Sequence, residues 1–292
     1  MNDASLSLTK PKFARIRYLM QFMFIAFNCL PNGVRAQWVD TFDTINPAWV
    51  TDRYAPAEFQ SASFDGDNRL EITIDQTGSS ANRPAPTYTS SFFNLQGDQR
   101  PVGITGDWSY SAQVYVSSAF DTTTGQLVRT GLWAQTGTDP NTGDYAIFGL
   151  TNASPTDPLN PNAADRSFRF QVFDGTTADP TSWFDAGVPV GFTFNSWHTL
   201  GETYNGTNVE YLLDGVVVYS DPVTNGADLQ TAFLEAYNFG QTDANGLNSY
   251  SVYWDNAITS SVIPEPSTCA LAIGLAALGL ARTQRRGLGR II

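Results

Sequence analysis

The chain has 292 residues and a formal net charge of −12 at pH 7. Nine of its 16 basic residues fall before residue 37 or after residue 263, so the body between them holds 7 arginines, no lysine and 26 acids, a net charge of −19. That field excludes nucleic acid as a partner, and the lack of lysine excludes Schiff-base chemistry and a phosphate-binding P-loop.

At the head, Lys10, Lys12, Arg15 and Arg17 precede an apolar run from Tyr18 to Leu30 and a small-residue site, Val34-Arg35-Ala36. This is the layout of a secretory signal peptide, residues 1–36, with cleavage expected before Gln37. The apolar run is short of the roughly 20 residues that a permanent span needs. Both cysteines, Cys29 and Cys269, lie outside the body, which therefore has no disulfide and no thiolate ligand. Residues 37–263 are expected to form one domain, since a chain of this size buries about 70% of its unfolded surface without covalent staples.

Within the body, short alternating runs separated by Gly, Asn, Asp and Pro predict strands at Leu70–Ile74, Trp108–Val116, Gly131–Gln135, Tyr145–Leu150 and Ser167–Phe173. In the last, Phe168, Phe170 and Val172 point one way, Arg169 and Gln171 the other. Asp65-Gly66-Asp67 reads as a turn. No stretch carries a helical stripe, so the body is expected to be all-β. The clearest piece is a meander from Trp197 to Tyr219, with type I′ turns predicted at Asn205-Gly206 and Asp214-Gly215. Pairing outward places Tyr204 opposite Thr207 and Leu213 opposite Val216. His198, Leu200, Tyr204, Val209, Tyr211, Leu213, Val216 and Val218 then share the core face, with Thr199, Thr203, Asn208 and Glu210 on the other.

Trp197-His198-Thr199-Leu200, the Asn-Gly turn and Tyr211-Leu212-Leu213-Asp214-Gly215 resemble the meander of concanavalin A-like, laminin-G-like jelly rolls. Phe42-Asp43 near the start and Tyr253-Trp254-Asp255-Asn256 near the end fit the same family. The resemblance implies a two-sheet antiparallel jelly-roll sandwich of about a dozen strands.

The body's one histidine, His198, lies on the predicted core face, which argues against a zinc site and a serine triad. Glucanases of this fold resemble one another in a Glu-x-Asp-x-x-Glu strand motif that this chain lacks. Glu202 and Glu210 are sent to opposite faces by the meander register, which leaves a dyad from distant strands, using Glu235, as the route to glycoside hydrolysis. Asp139-Pro140-Asn141-Thr142-Gly143-Asp144 half-resembles an EF-hand loop but lacks its spacing, and most aspartates read as turn residues. By resemblance to related sandwiches, the Asp43 backbone and the Asp255 carboxylate would hold one structural calcium. For sugar binding, Trp133, Gln135, Tyr145, Arg169, Gln171, Glu235 and Tyr237 form a groove if their strands are neighbours in the concave sheet. The competing reading is that Trp133 and Tyr237 fill the core.

The chain closes with Pro264-Glu265-Pro266-Ser267, an apolar segment from Thr268 to Ala281, then Arg282, Arg285 and Arg286. The prolines hold the motif extended, and the arginines mark a cytoplasmic end. Residues 264–292 resemble the PEP-CTERM sorting signal: a Pro-Glu-Pro motif, a hydrophobic helix and an arginine-rich end. The resemblance implies transient processing by exosortase, membrane contact only before that processing, and a final place at the surface or in the matrix of a Gram-negative-type bacterium. The expectation is a non-catalytic exopolysaccharide-binding or matrix component. A glycoside hydrolase or polysaccharide lyase of the same fold and a purely structural biofilm protein are the alternatives.

Overall fold

The computed structural model describes residues 35–79, 94–121, 126–137, 145–155, 164–174, 183–222, 228–239 and 249–261. The Pro-Glu-Pro motif, its arginines (Arg285 and Arg286 among them), the apolar tail segment, nearly all of the predicted signal peptide and the EF-hand-like loop lie outside these residues. The body folds as two antiparallel sheets. The eight-stranded sheet runs β13 (Val216–Pro222), β12 (Asn208–Leu213), β11 (Ser196–Tyr204), β6 (Trp108–Val116), β15 (Tyr250–Ser261), β4 (Asp67–Ile74) and β3 (Glu58–Phe64), with β1 (Arg35–Asp40) also paired to β15. The seven-stranded sheet runs β10 (Trp183–Gly187), β9 (Arg169–Asp174), β8 (Tyr145–Thr151), β7 (Arg129–Thr136), β14 (Leu229–Tyr237), β5 (Leu95–Ile104) and β2 (Val50–Thr51). Among the described residues the only helices are single 3₁₀ turns.

Alternation explains the architecture. Along β6, Trp108, Tyr110, Ala112, Val114 and Val116 are buried while the residues between them are half-buried. Phe170 and Val172 of β9, Leu132 and Ala134 of β7, and Leu70 and Ile72 of β4 join the same inter-sheet core. Each large side chain so buried is worth about 1.5–3 kcal/mol. Polar tips on core aromatics are satisfied across the sandwich: the Tyr110 hydroxyl donates to the Phe233 carbonyl at 3.0 Å, and Trp254 Nε1 donates to Thr130 Oγ1 at 3.2 Å. Asp40 of β1 ties the two sheets by accepting from Arg100 Nη1 of β5 at 3.0 Å and from Trp49 Nε1 at 2.9 Å.

All five predicted strands are present, and Asp65-Gly66 turns the β3–β4 hairpin with both φ values positive (52° and 84°). Asp214 and Gly215 also take positive φ (51° and 79°), with Leu213 opposite Val216 as expected. The Asn205 turn differs, since Tyr204 pairs with Val209 rather than lying opposite Thr207. The Asn205 side-chain oxygen accepts from the Thr207 and Asn208 amides, lengthening the loop. The slip is two residues, an even number, so Val209, Tyr211 and Leu213 still face the core. Val216 does not: it is 66% exposed, because β13 is an edge strand and Val216 its first residue beside the turn. The expected cleavage point before Gln37 falls inside β1, at the irregularity between Ala36 and Trp38 in its pairing with β15.

Candidate functional site

Register stacks the outer face of the seven-stranded sheet in rows. Phe233, Trp133, Ile147, Phe173 and Trp183 form one row; Gly97, Glu235, Gly131, Gly149, Gln171 and Asp185 form the next; Leu95 with Tyr237 and Arg129 with Thr151 and Arg169 make a third. Leu95, Trp133, Ile147 and Phe233 pack as a second apolar cluster, separate from the core, with Tyr145, Phe173 and Tyr237 against it. The glycines are dictated by close strand approach. A Cβ would stand 2.1 Å from the Leu234 carbonyl oxygen at Gly97, 2.3 Å from that of Thr130 at Gly149, and 2.9 Å from that of Phe148 at Gly131. The middle row is thus a trough in which Glu235 and Gln171 are the long side chains.

Glu235 is fully buried, with its carboxyl beside Asp52 and Arg53. Burial first, then the charge of Asp52, pushes its pKa well above the usual carboxylate range, with Arg53 pulling the other way. Burial therefore favours the protonated form of Glu235. Arg53 is ion-paired with Asp52, and its guanidinium carbon sits 5.0 Å from the centroid of the Trp133 ring.

All seven groups predicted for sugar binding lie on this face, on neighbouring strands β9, β8, β7 and β14. Their accessibility differs from expectation. Trp133 is only 3% exposed, held in the apolar cluster beneath Arg53. Gln135 and Gln171 are nearly buried, Tyr145 and Tyr237 half-buried. Arg169 is committed locally, donating to the Ala153 carbonyl at 2.6 Å and the Ser167 carbonyl at 3.1 Å. The ring that reaches solvent is Trp183, 37% exposed, at the edge strand β10. Sequence reasoning missed it because its five-residue strand shows no alternation. It also missed Arg53 and Arg129, which belong to no recognisable motif.

Two further constellations are structural. Ser196 Oγ lies 2.9 Å from His198 Nε2, and His198 Nδ1 lies 2.8 Å from Asp214 Oδ2, a serine–histidine–aspartate chain in outline. The serine hydroxyl donates instead to the Thr193 carbonyl at 2.6 Å, a carbonyl that also lies 2.8 Å from Nε2. The Ser196 proton is thus directed to the backbone rather than to the ring, and the histidine is a buried loop tie. Glu202, unlike the half-buried Glu210 on the other face, projects into the core opposite Tyr110 and Tyr211. Burial raises its pKa far above the usual range, with a hydrogen bond from the Phe148 backbone amide pulling the other way.

The residues expected to hold calcium do converge, in a cleft of the eight-stranded sheet lined by Thr41, Asp43, Asp67, Arg69, Gln113 and Asp255 among others. Their chemistry does not fit an ion. Asp255 Oδ2 already pairs with Arg69 Nη1 at 2.5 Å, and the Asp43 carbonyl accepts from Ser61 Oγ at 3.0 Å and Asn68 Nδ2 at 3.3 Å. Among the described residues no group of three or more His, Cys, Asp or Glu is placed to hold a metal. A guanidinium stands where the cation would.

No family model matches this chain, and no curated protein does. Solved structures do. A glycoside hydrolase family 16 endo-glucanase from Bacteroides ovatus, in complex with G4G3G-2F-DNP, aligns with a TM-score of 0.51 at 12% identity, over 76% of this chain and 99% of its own. A Bacteroides ovatus mixed-linkage glucan enzyme of the same family, in complex with a G4G4G3G product, aligns with a TM-score of 0.50 at 11% identity, over 77% and 99%. At such identities the likeness establishes the fold: an all-β, two-sheet antiparallel jelly-roll sandwich of the concanavalin A-like type.

Proposed function

We propose that this protein is exported and engages extracellular polysaccharide across the outer face of its seven-stranded sheet, as a non-catalytic binding or matrix component. The observation that carries the reading is the Trp183 ring, exposed at the edge strand β10, on the same face as the half-buried Tyr145 and Tyr237. A flat ring can stack on a sugar, and a few polar groups beside it can orient the chain. Export rests on the two terminal segments: a signal peptide removed before Gln37, and a Pro-Glu-Pro tail handled by exosortase. Mass spectrometry of the secreted form tests this, with a start at Gln37 and an end near Pro264–Pro266 expected.

Cleavage is the second reading, and Glu235 supports it. A carboxyl whose pKa is raised by burial is suited to general-acid work, and Asp52 supplies a second carboxylate nearby. The two Bacteroides ovatus proteins of this fold are glucan-acting enzymes. Against it, Glu235 is fully buried, in a slot with room for about one water molecule. Incubating the purified protein with a panel of polysaccharides and assaying both retention and new chain ends separates the readings. Retention without new ends supports binding, new reducing or unsaturated ends support the enzyme, and neither result would favour a structural matrix role.

A further inference from the structure

Six arginines of the body lie among the described residues, and five have evident partners. Arg53 pairs with Asp52, Arg69 with Asp67 and Asp255, and Arg100 with Asp40; Arg166 and Arg169 bond backbone carbonyls. Arg129 differs. In a domain with 26 acids, its guanidinium has no carboxylate in ion-pair range among the described residues. What it touches is aromatic: its guanidinium carbon lies 4.2 Å from the Trp183 ring centroid and 5.1 Å from that of Tyr237. It lines the slot in the glycine trough with Gln171, Trp183 and Glu235.

We propose that Arg129 is the recognition point for a sugar carboxylate, so that the polysaccharide engaged on this face is a uronate-containing chain. The proposal rests on reading this face as the glycan-binding one. A partly buried cation is ordinarily paired, since desolvation without a counter-charge is unfavourable. The two rings flank the guanidinium, and among the described residues no carboxylate pairs with its N–H donors, which match a carboxylate in a bidentate fork. The surroundings suit an anion. Burial favours the protonated form of Glu235, Gln171 offers an amide, and Gly131 and Gly149 add no bulk. Asp185, the acid of the same row, is drawn toward Arg169 at 3.9 Å. The net charge of the body opposes acidic chains only at long range, and beyond about 8 Å it is screened at physiological ionic strength, whereas a contact pair is not.

The test compares binding of a polyuronate, the same polyuronate methyl-esterified, and a neutral glucan to the purified protein and to its Arg129→Gln form. The expected result is that esterification and Arg129→Gln each weaken polyuronate binding about tenfold or more, and that the substituted protein no longer prefers the acid to its ester. The ester comparison needs no variant and stands even if Arg129→Gln fails to fold. Equal affinity for the acid and its ester, or preference for the neutral glucan, overturns the uronate assignment while leaving glycan binding on this face intact. Failure to bind any of the three overturns both.

Discussion

Arg53 Nη1 stands 3.8 Å from Glu235 Oε1, yet its close ion pair is with Asp52. The cation therefore neutralises the aspartate and leaves the buried glutamate to hold its proton. Because the folded-state pKa of Glu235 lies above its unfolded value, the native state keeps a proton that the unfolded chain releases as pH rises through the ordinary carboxylate range. Stability then falls with rising pH. Glu202, raised by burial in the same direction, also contributes, and Asp98, raised by burial to about 6, adds to the fall between 3.8 and about 6. Urea unfolding should show a higher midpoint at pH 5 than at pH 8, and Glu235→Gln should reduce that dependence. A midpoint rising steadily over this window, unchanged by the substitution, would show Glu235 to be ionised.

Glu202 gives a cleaner stability test, because it lies in the core rather than on the glycan face. One hydrogen bond from the Phe148 amide leaves most of this buried carboxyl's hydrogen-bonding capacity unmet, at a cost of about 1–3 kcal/mol. Glu202→Met, of similar length and apolar, should therefore raise unfolding free energy by about that amount at pH 7. Loss of stability would mean that the Phe148 hydrogen bond outweighs the desolvation of the carboxyl.

The glycine trough makes a steric prediction. A Cβ at Gly149 would stand 2.3 Å from the Thr130 carbonyl oxygen and 3.0 Å from the Gly131 Cα. Both are backbone atoms, so the strands themselves must separate. Gly149→Ala should cost about 1–3 kcal/mol and weaken glycan binding more than stability alone explains. Denaturant titration alongside affinity measurement checks both parts.

With Arg69 in the cleft where calcium was expected, thermal midpoints with added calcium and with chelator should coincide. A rise with calcium would mean that the ion displaces the guanidinium from Asp255.

Much of the fold was legible in residue order. Alternation placed Phe168, Phe170 and Val172 inward because a half-buried strand sorts its side chains with period two, and Asp214-Gly215 set its register because both tolerate positive φ. The Asn205 loop was misread because its side chain captured two amides, a choice no dipeptide rule contains. Glu202 shares the inward parity of His198 and Leu200 but was left out of the predicted core face, where a lone carboxyl is rare. For the candidate site, the shared face of Trp133, Gln171, Glu235 and Tyr237 followed from strand neighbours. Depth did not. Whether a ring is a platform or a filler depends on what a distant loop lays over it, and Arg53, eighty residues upstream of Trp133, covers that ring.

Oxidative footprinting of tryptophan and tyrosine, with and without a retained polysaccharide, tests the central claim most directly. The account predicts that Trp183 and Tyr237, on the seven-stranded sheet, become protected while Trp197 and Tyr253, on the outer face of the opposite sheet, keep their reactivity. Protection of Trp197 with Trp183 unchanged would place the ligand on the wrong side of the sandwich and contradict it.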